Sequence, residues 1–319
     1  MSFSSKTKNE IARIPLSKKC CQIAEIAGFV RMSGSISLSG FKKINLKLST
    51  ENAAVARRLF IILKTLFNSH TEVMVRKNKQ LKKNNNYLIV VDDEVIAKNI
   101  LIQTGIVDKD CSNLFDINYN VPKKIIHNDC CKRAYIRGVF LGGGSLSDPE
   151  KTYHLEFVTR NEKHAKDLLQ IMNLYDLNSK IVIRKENYVV YIKESEKIVD
   201  LLNIIGAHTA LLNLENIRVF KDVRNNVNRI INCETANLNK TIEAALRQVN
   251  NIEYIQNTIG IENLPENLIE IAQLRLQNKD ATLVELGKML TLPIGKSGVN
   301  HRLRRIERIA DKLRREVKK

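Results

Sequence analysis

The sequence predicts an α+β protein in which two tandem αββαββα units are followed by an all-α module. Three observations carry that expectation. The nonapeptides IAGFVRMSG (residues 26–34) and IRGVFLGGG (residues 136–144) share one pattern, an apolar run with a glycine at its third place (Gly28, Gly138) and another at its ninth (Gly34, Gly144). Each is followed, in the same order, by segments that alternate at the strand period of two and segments that repeat at helical spacing. From about Asn213 the strand signal stops and Asn- and Arg-rich helical periodicity replaces it.

In the first unit the nonapeptide leads into INLKLSTEN, a helical run from Asn52 to Phe67, TEVMVRK, YLIVVDD and a helix ending near ILIQTGI. In the second it leads into YHLEFVTRN, a helical run from Asn161 to Tyr175, SKIVIRK, YVVYIKE and a helix ending near LLNIIGA. The strands show in Leu46-Lys47-Leu48 and Leu155-Glu156-Phe157, whose apolar residues share one face. Ala56, Leu59, Phe60, Leu63 and Leu66 recur as a helix face does. Asn52 and Asn161 stand where strand gives way to helix, as N-caps. The units span roughly residues 15–110 and 125–210, joined by VDKDCSNLFDINYNVPKK, and together make one domain over residues 1–212. A glycine inside a helix costs ~1 kcal/mol relative to alanine, and a close approach of a second backbone is the compensation that fits Gly28 and Gly138. Those two helices are expected to pack on each other as a pseudo-dimer, with Gly34 and Gly144 as their C-caps.

A chain of 319 residues with 44% hydrophobic content holds two to three domains and folds without disulfide staples. The net charge of +18 exceeds what solubility requires and points to an acidic partner. Nucleic acid is the expected one, because no apolar stretch approaches the ~20 residues of a membrane span. The polar start MSFSSKTKNE lacks the core of a secretory signal, so a cytoplasmic location is expected. The six cysteines form no CxxC pair, and the histidines at 70, 127, 154, 164, 208 and 301 show no paired-ligand spacing. The expectation is reduced thiols, no metal and no cofactor. The doublets Cys20-Cys21 and Cys130-Cys131 each begin eight residues before Gly28 and Gly138, so they would cluster if those helices adjoin.

The paired nonapeptides, each opening an αββαββα unit, resemble the two LAGLIDADG motifs of a monomeric homing endonuclease over about 200 residues. The resemblance implies two motif helices on a pseudo-twofold axis, saddle-shaped sheets that lie on DNA, and a metal-binding carboxylate at the eighth motif place. Here those places are Ser33 and Gly143, and the sixth places are Arg31 and Leu141. None is an acid, and two-metal phosphodiester chemistry needs charged oxygen ligands. No catalytic residue is therefore assigned. Asp148, five residues beyond Gly143, has no counterpart after the first motif, and PIGKSG lacks the first glycine of a phosphate-binding loop, Leu290 standing in its place.

Residues 213–262 read as a helical linker, in which Arg224, Asn225, Asn228 and Arg229 are candidates for DNA-backbone contact. Its stretch NRIINCETANLNKT crowds polar residues and reads alternatively as the junction of two helices. Residues 263–319 give a helix LPENLIEIAQLRLQ, a short helix LVELGKML capped by Thr282, the turn TLPIG and a basic third helix from Lys296. That order is a helix-turn-helix. Val299, Leu303, Ile306 and Ile309 supply the apolar face of the third helix. In such modules the first turns of the third helix meet base edges, which assigns Lys296, Ser297, Asn300 and His301 to base reading. Arg302, Arg304, Arg305 and Arg308 follow as further DNA-binding residues, the last three best placed for phosphates.

The degenerate tandem LAGLIDADG-like domain, the NRIINCETANLNKT stretch and a terminal helix-turn-helix containing GKSGVNHRLRRIERIA together resemble the WhiA family of Gram-positive bacteria. The resemblance implies a non-enzymatic, sequence-specific regulator of transcription linked to sporulation, cell division and chromosome segregation. Its expected partners are double-stranded DNA and other transcription proteins. It is expected to act at the nucleoid as a monomer with internal pseudo-twofold symmetry. Two alternatives stand beside it: a LAGLIDADG endonuclease with residual activity, and an N-terminal protein-docking or ligand-sensing module with only the helix-turn-helix on DNA.

Overall fold

A computed structural model describes residues 1–16, 18–39, 43–69, 71–77, 85–108 and 117–316. His70, Cys111, most of the basic stretch at 76–86 and part of the segment joining the repeats lie outside the described residues. The chain divides into two compact units, Met1–Phe220 and Lys221–Lys319. The first mixes helix and sheet and the second is helical, as the sequence pattern requires.

The first unit opens with α1 (Phe3–Ile11), which the polar N-terminal sequence does not announce. Ser2 caps it, and Glu10 accepts backbone N–H bonds from Thr209 and Ala210 at 2.6 and 3.0 Å. The first repeat then runs α2 (Lys19–Ser33), β1 (Gly34–Ser39), β2 (Lys43–Thr50), α3 (Ala53–Phe67), β3 (Glu72–Lys77), β4 (Asn85–Val91) and α4 (Glu94–Gln103). The second runs α5 (Asp129–Gly143), β5 (Gly144–Leu146), β6 (Leu155–Thr159), α6 (Glu162–Asn173), β7 (Lys180–Arg184), β8 (Asn187–Ile192) and α7 (Ser195–Ile205). The two sheets have the same antiparallel order, β1-β2-β4-β3 and β5-β6-β8-β7. Their inner faces bury Leu46, Leu48, Ile89 and Val91 in one and Leu155, Phe157, Val190 and Ile192 in the other. Asn52 accepts from the N–H groups of Ala54 and Val55, and Asn161 from that of His164, so both asparagines are N-caps.

Helices α2 and α5 form the centre of the unit. A Cβ on Gly28 would stand 2.4 Å from the Tyr135 carbonyl oxygen, and one on Gly138 would stand 1.9 Å from that of Glu25. Neither helix could approach the other this closely with any side chain at those places. Gly34 and Gly144 do end the helices, but not as left-handed caps. Their backbones are extended, with φ near −79° and −75°. A Cβ there would press on the Val30 oxygen at 2.5 Å and on the Phe140 ring at 2.5 Å, so lack of space and not torsion explains these two glycines.

The axis also carries buried charge. Arg58 donates through Nε and Nη2 to the two oxygens of Glu25, both side chains being 2% exposed. Arg137 approaches Glu25 at 3.5 Å and donates through Nε to the Ile205 carbonyl. Nearby, Tyr135 and His164 share a buried hydrogen bond of 2.8 Å, and burial pulls the histidine down to about 3, which keeps it neutral.

Helix α8 (His208–Thr258) is continuous for 51 residues. The expected junction within NRIINCETANLNKT does not occur. Residues 222–243 are exposed on every side, which accounts for the absence of a plain apolar stripe there. The second unit closes around the last turns of α8, a 3-10 turn at Ile261–Asn263, α9 (Glu266–Gln277), α10 (Leu283–Met289) and α11 (Lys296–Glu316). Its core includes Ile252, Ile255, Leu268, Ile271, Leu286, Val299 and Leu303.

Candidate nucleic-acid interface

The geometry of the terminal module follows from a few residues. Thr282 and Glu285 close a capping box on α10. Gly287 lets the following turn fold back, since a Cβ there would lie 2.3 Å from the Ile294 oxygen, and the Ile294 N–H donates to the Gly287 carbonyl at 3.1 Å. Glu270 on α9 clamps the same turn, accepting from the Thr291 N–H at 2.6 Å and its hydroxyl at 2.7 Å. Those bonds hold the Glu270 carboxyl below its usual range, with a smaller contribution from Arg302. Arg275, fully buried, donates to the carbonyls of Asn278, Lys279 and Ala281 and so fixes the loop that leads into α10. Sequence pattern singles out neither Glu270 nor Arg275, whose partners are distant or non-periodic.

Helix α11 buries Val299, Leu303, Ile306 and Ala310, with Ile309 half-buried beside them. Ala310 therefore takes the last place on the inner face that Ile309 was expected to hold. On the opposite face Ser297, His301, Arg304 and Arg308 follow at intervals of four, three and four, one exposed line about 16 Å long. Lys296 is exposed at its start, Arg305 is exposed to one side, and Asn300 and Arg302 are half-buried at its margins. Among the described residues, none of Arg304, Arg305 and Arg308 enters an ion pair. Their charge is thus available to a ligand.

Arg247 reaches Glu307 at 3.9 Å, and Arg314 lies over the Tyr254 ring at 4.8 Å. Both pairs advance together along the chain, so α8 and α11 run in the same direction here. Arg224, Asn225, Asn228 and Arg229 are exposed on earlier turns of α8. Arg229 stands about 30 Å of helix axis ahead of Val249, where α8 first enters the core of the second unit.

The motif ends of the first unit hold no acid. The Ser33 hydroxyl donates to the Gly142 carbonyl at 2.5 Å, and the space beside Gly143 is filled by Met32. Arg31 is half-buried and donates to the carbonyls of Ala27, Thr104, Gly105 and Asn120, tying the motif helix to the end of α4 and to the segment after it. Asp148 is exposed and accepts from the Glu150 N–H in a local turn. On the outer face of the second sheet, Glu156 lies 3.1 Å from the His154 ring nitrogen and pairs with Arg184 at 3.5 Å, which neutralises part of the arginine's positive charge there. No helix among the described residues is long and apolar enough to cross a membrane.

The N-termini of α2 and α5 bring Cys20, Cys21, Cys130 and Cys131 together, with all four sulfurs within 4.8 Å of one another. Only the pairing of the helices makes this one cluster. The doublet spacing carried the signal.

Comparison with known proteins matches three family models in chain order: the WhiA N-terminal LAGLIDADG-like domain over residues 19–107, the WhiA LAGLIDADG-like domain over residues 132–224, and the WhiA C-terminal HTH domain over residues 227–310. The chain is 58% identical over 314 residues to a probable cell division protein WhiA of Alkaliphilus metalliredigens, covering 98% of this chain and 99% of the relative. It is 56% identical over 317 residues to the protein of that description from Clostridium botulinum strain Hall, covering 99% and 100%. The crystal structure of full-length DUF199/WhiA from Thermatoga maritima superposes with a TM-score of 0.60 at 27% identity, covering 98% of this chain and 99% of that one.

Proposed function

This chain belongs to the WhiA family, and on that premise we propose that it is a non-enzymatic, sequence-specific regulator of transcription whose reading head is α11. The observation that carries the reading is the line Ser297, His301, Arg304 and Arg308, exposed opposite the buried face of a helix whose preceding turn is clamped by Glu270 and Gly287. The first turns, with Lys296, Ser297, Asn300 and His301, meet base edges in the major groove. Arg304, Arg305 and Arg308 meet phosphates, where unpaired guanidinium groups displace condensed counterions. Arg224, Asn225, Asn228 and Arg229 extend the backbone contacts along α8. Cell division, chromosome segregation and sporulation are the processes that fit, with the protein acting in the cytoplasm at the nucleoid.

Substitution separates the two roles. Arg304→Ala or Arg305→Ala weakens binding about equally on cognate and random duplexes and lowers the salt slope by roughly one ion. Asn300→Ala or His301→Ala lowers discrimination by ~1–3 kcal/mol for each base edge that ceases to be read. Titrations of each variant on both duplexes at several salt concentrations provide the measurement. Equal loss of affinity and specificity from both pairs would remove α11 from the groove.

The LAGLIDADG-like unit acts without cleaving. Ser33 and Gly143 offer no charged oxygen where a hydrolytic metal would sit. Supercoiled plasmid incubated for hours with stoichiometric protein and Mg²⁺ or Mn²⁺ stays intact. Nicking that survives repurification and disappears in Asp148→Asn would instead support the nuclease reading.

A further inference from the structure

We propose that Cys20, Cys21, Cys130 and Cys131 form a structural site for one tetrahedral divalent cation of the zinc type, held across the pseudo-twofold axis of the first unit. The four sulfurs lie within 4.8 Å of one another, and those of Cys20 and Cys21 are 4.0 Å apart. A tetrahedral zinc–thiolate centre, with metal–sulfur bonds of ~2.3 Å, places its sulfurs about 3.8 Å apart. Small side-chain adjustments therefore complete the shell. A four-iron cluster carries its thiolates on separate irons and needs a wider cage.

The helix pair presets the site. Cys21 and Cys131 precede Gly28 and Gly138 by seven residues, two helical turns, and so share the face on which α2 and α5 meet. Both are buried, whereas Cys20 and Cys130 are exposed and leave a path for the ion. Each helix thus contributes one inner and one outer sulfur.

The electrostatics also suit a charged tetrathiolate centre. Two helix N-termini converge on it, and their partial positive charge favours thiolates. Lys18, Lys19, Lys132 and Arg133 flank the doublets in sequence. The nearby carboxylate of Asp129 is engaged by the Tyr175 hydroxyl at 2.6 Å and Arg133 Nε at 2.9 Å. A divalent cation deprotonates its thiols on binding. With four protein ligands no position is open to substrate, so the ion joins the repeats and performs no reaction.

The test uses the full chain, reduced, given one equivalent of Zn²⁺ and desalted. Elemental analysis is expected to find one zinc per chain, and Co²⁺ in its place is expected to give the intense visible bands and sulfur charge-transfer absorption of a tetrahedral thiolate site. The double variant Cys20→Ser/Cys130→Ser changes only the exposed pair. It should keep the far-UV dichroism of the parent, hold less than a tenth of an equivalent, and lose the drop in melting temperature that a chelator causes in the parent. Cys233→Ser should bind as the parent does. The proposal is overturned if the reduced parent holds less than a tenth of an equivalent, if bound cobalt is octahedral, if the double variant binds equally, or if the four thiols are recovered as disulfides under the reducing conditions of loading.

Discussion

Gly138→Ala is expected to destabilise the first unit by about 3 kcal/mol, at the upper end of the usual overpacking range. Alanine is the better helix former by ~1 kcal/mol, so local preference alone predicts the opposite sign. The added methyl would lie 1.9 Å from the Glu25 carbonyl oxygen and 2.8 Å from its carbon. These are backbone atoms with no rotamer to move into. The helices must separate, and the packing along the whole α2–α5 seam loosens with them. Gly28→Ala meets the Tyr135 oxygen at 2.4 Å and should follow in the same direction with a smaller loss. Amide hydrogen exchange of α2 and α5 in the full chain reads the effect without interference from the second unit. Protection in Gly138→Ala equal to that of the parent would show that the seam has room the structure does not give it.

The second large effect is expected at Glu25. Its carboxylate lies between Arg58 and Arg137, and Glu25→Ala leaves the Arg58 guanidinium, 2% exposed, without its counter-ion. Breaking a buried pair from one side costs about 3–5 kcal/mol, more than the pair itself contributes over apolar residues of similar size. The double substitution Glu25→Leu/Arg58→Met should therefore be more stable than Glu25→Ala alone. Arg137 keeps the Ile205 carbonyl as a partner in both variants. Denaturant unfolding of the parent, Glu25→Leu, Arg58→Met and the double variant closes a cycle whose coupling energy should be well above the error of the measurement. If Glu25→Ala costs under 1 kcal/mol, the carboxylate does not hold the two arginines in solution as it does in the structure.

Much of the architecture was readable because its causes act over a few residues. Asn52, Asn161 and Thr282 cap helices through bonds to N–H groups two or three residues away. The alternation in Leu46–Leu48 and Leu155–Phe157 sets a face within one strand, and the repeated element order then fixes two matching sheets. The basic line of α11 was legible for the same reason, since helical spacing sorts Val299 and Leu303 from His301 and Arg304 without reference to any other element. Helix α1 was not legible, because its nine residues bury little beyond Thr7 and Ile11 and its docking depends on Glu10 meeting Thr209 and Ala210.

By itself, then, the sequence determined the two αββαββα repeats, the helices of the terminal module, the charge surplus and the lack of carboxylates at Ser33 and Gly143. Only the tertiary structure decided that Gly34 and Gly144 are demanded by space and not by a left-handed backbone, and that α8 runs unbroken through NRIINCETANLNKT. It alone gave Arg31 its carbonyls at Thr104, Gly105 and Asn120, Glu25 its two arginines, and the cysteine doublets a common centre. The physical reason is distance along the chain. Caps, strand alternation and helix faces are short-range and leave a periodic trace. A buried charge or a shared sulfur cluster is completed by residues tens of positions away, and no local pattern records which of them will arrive.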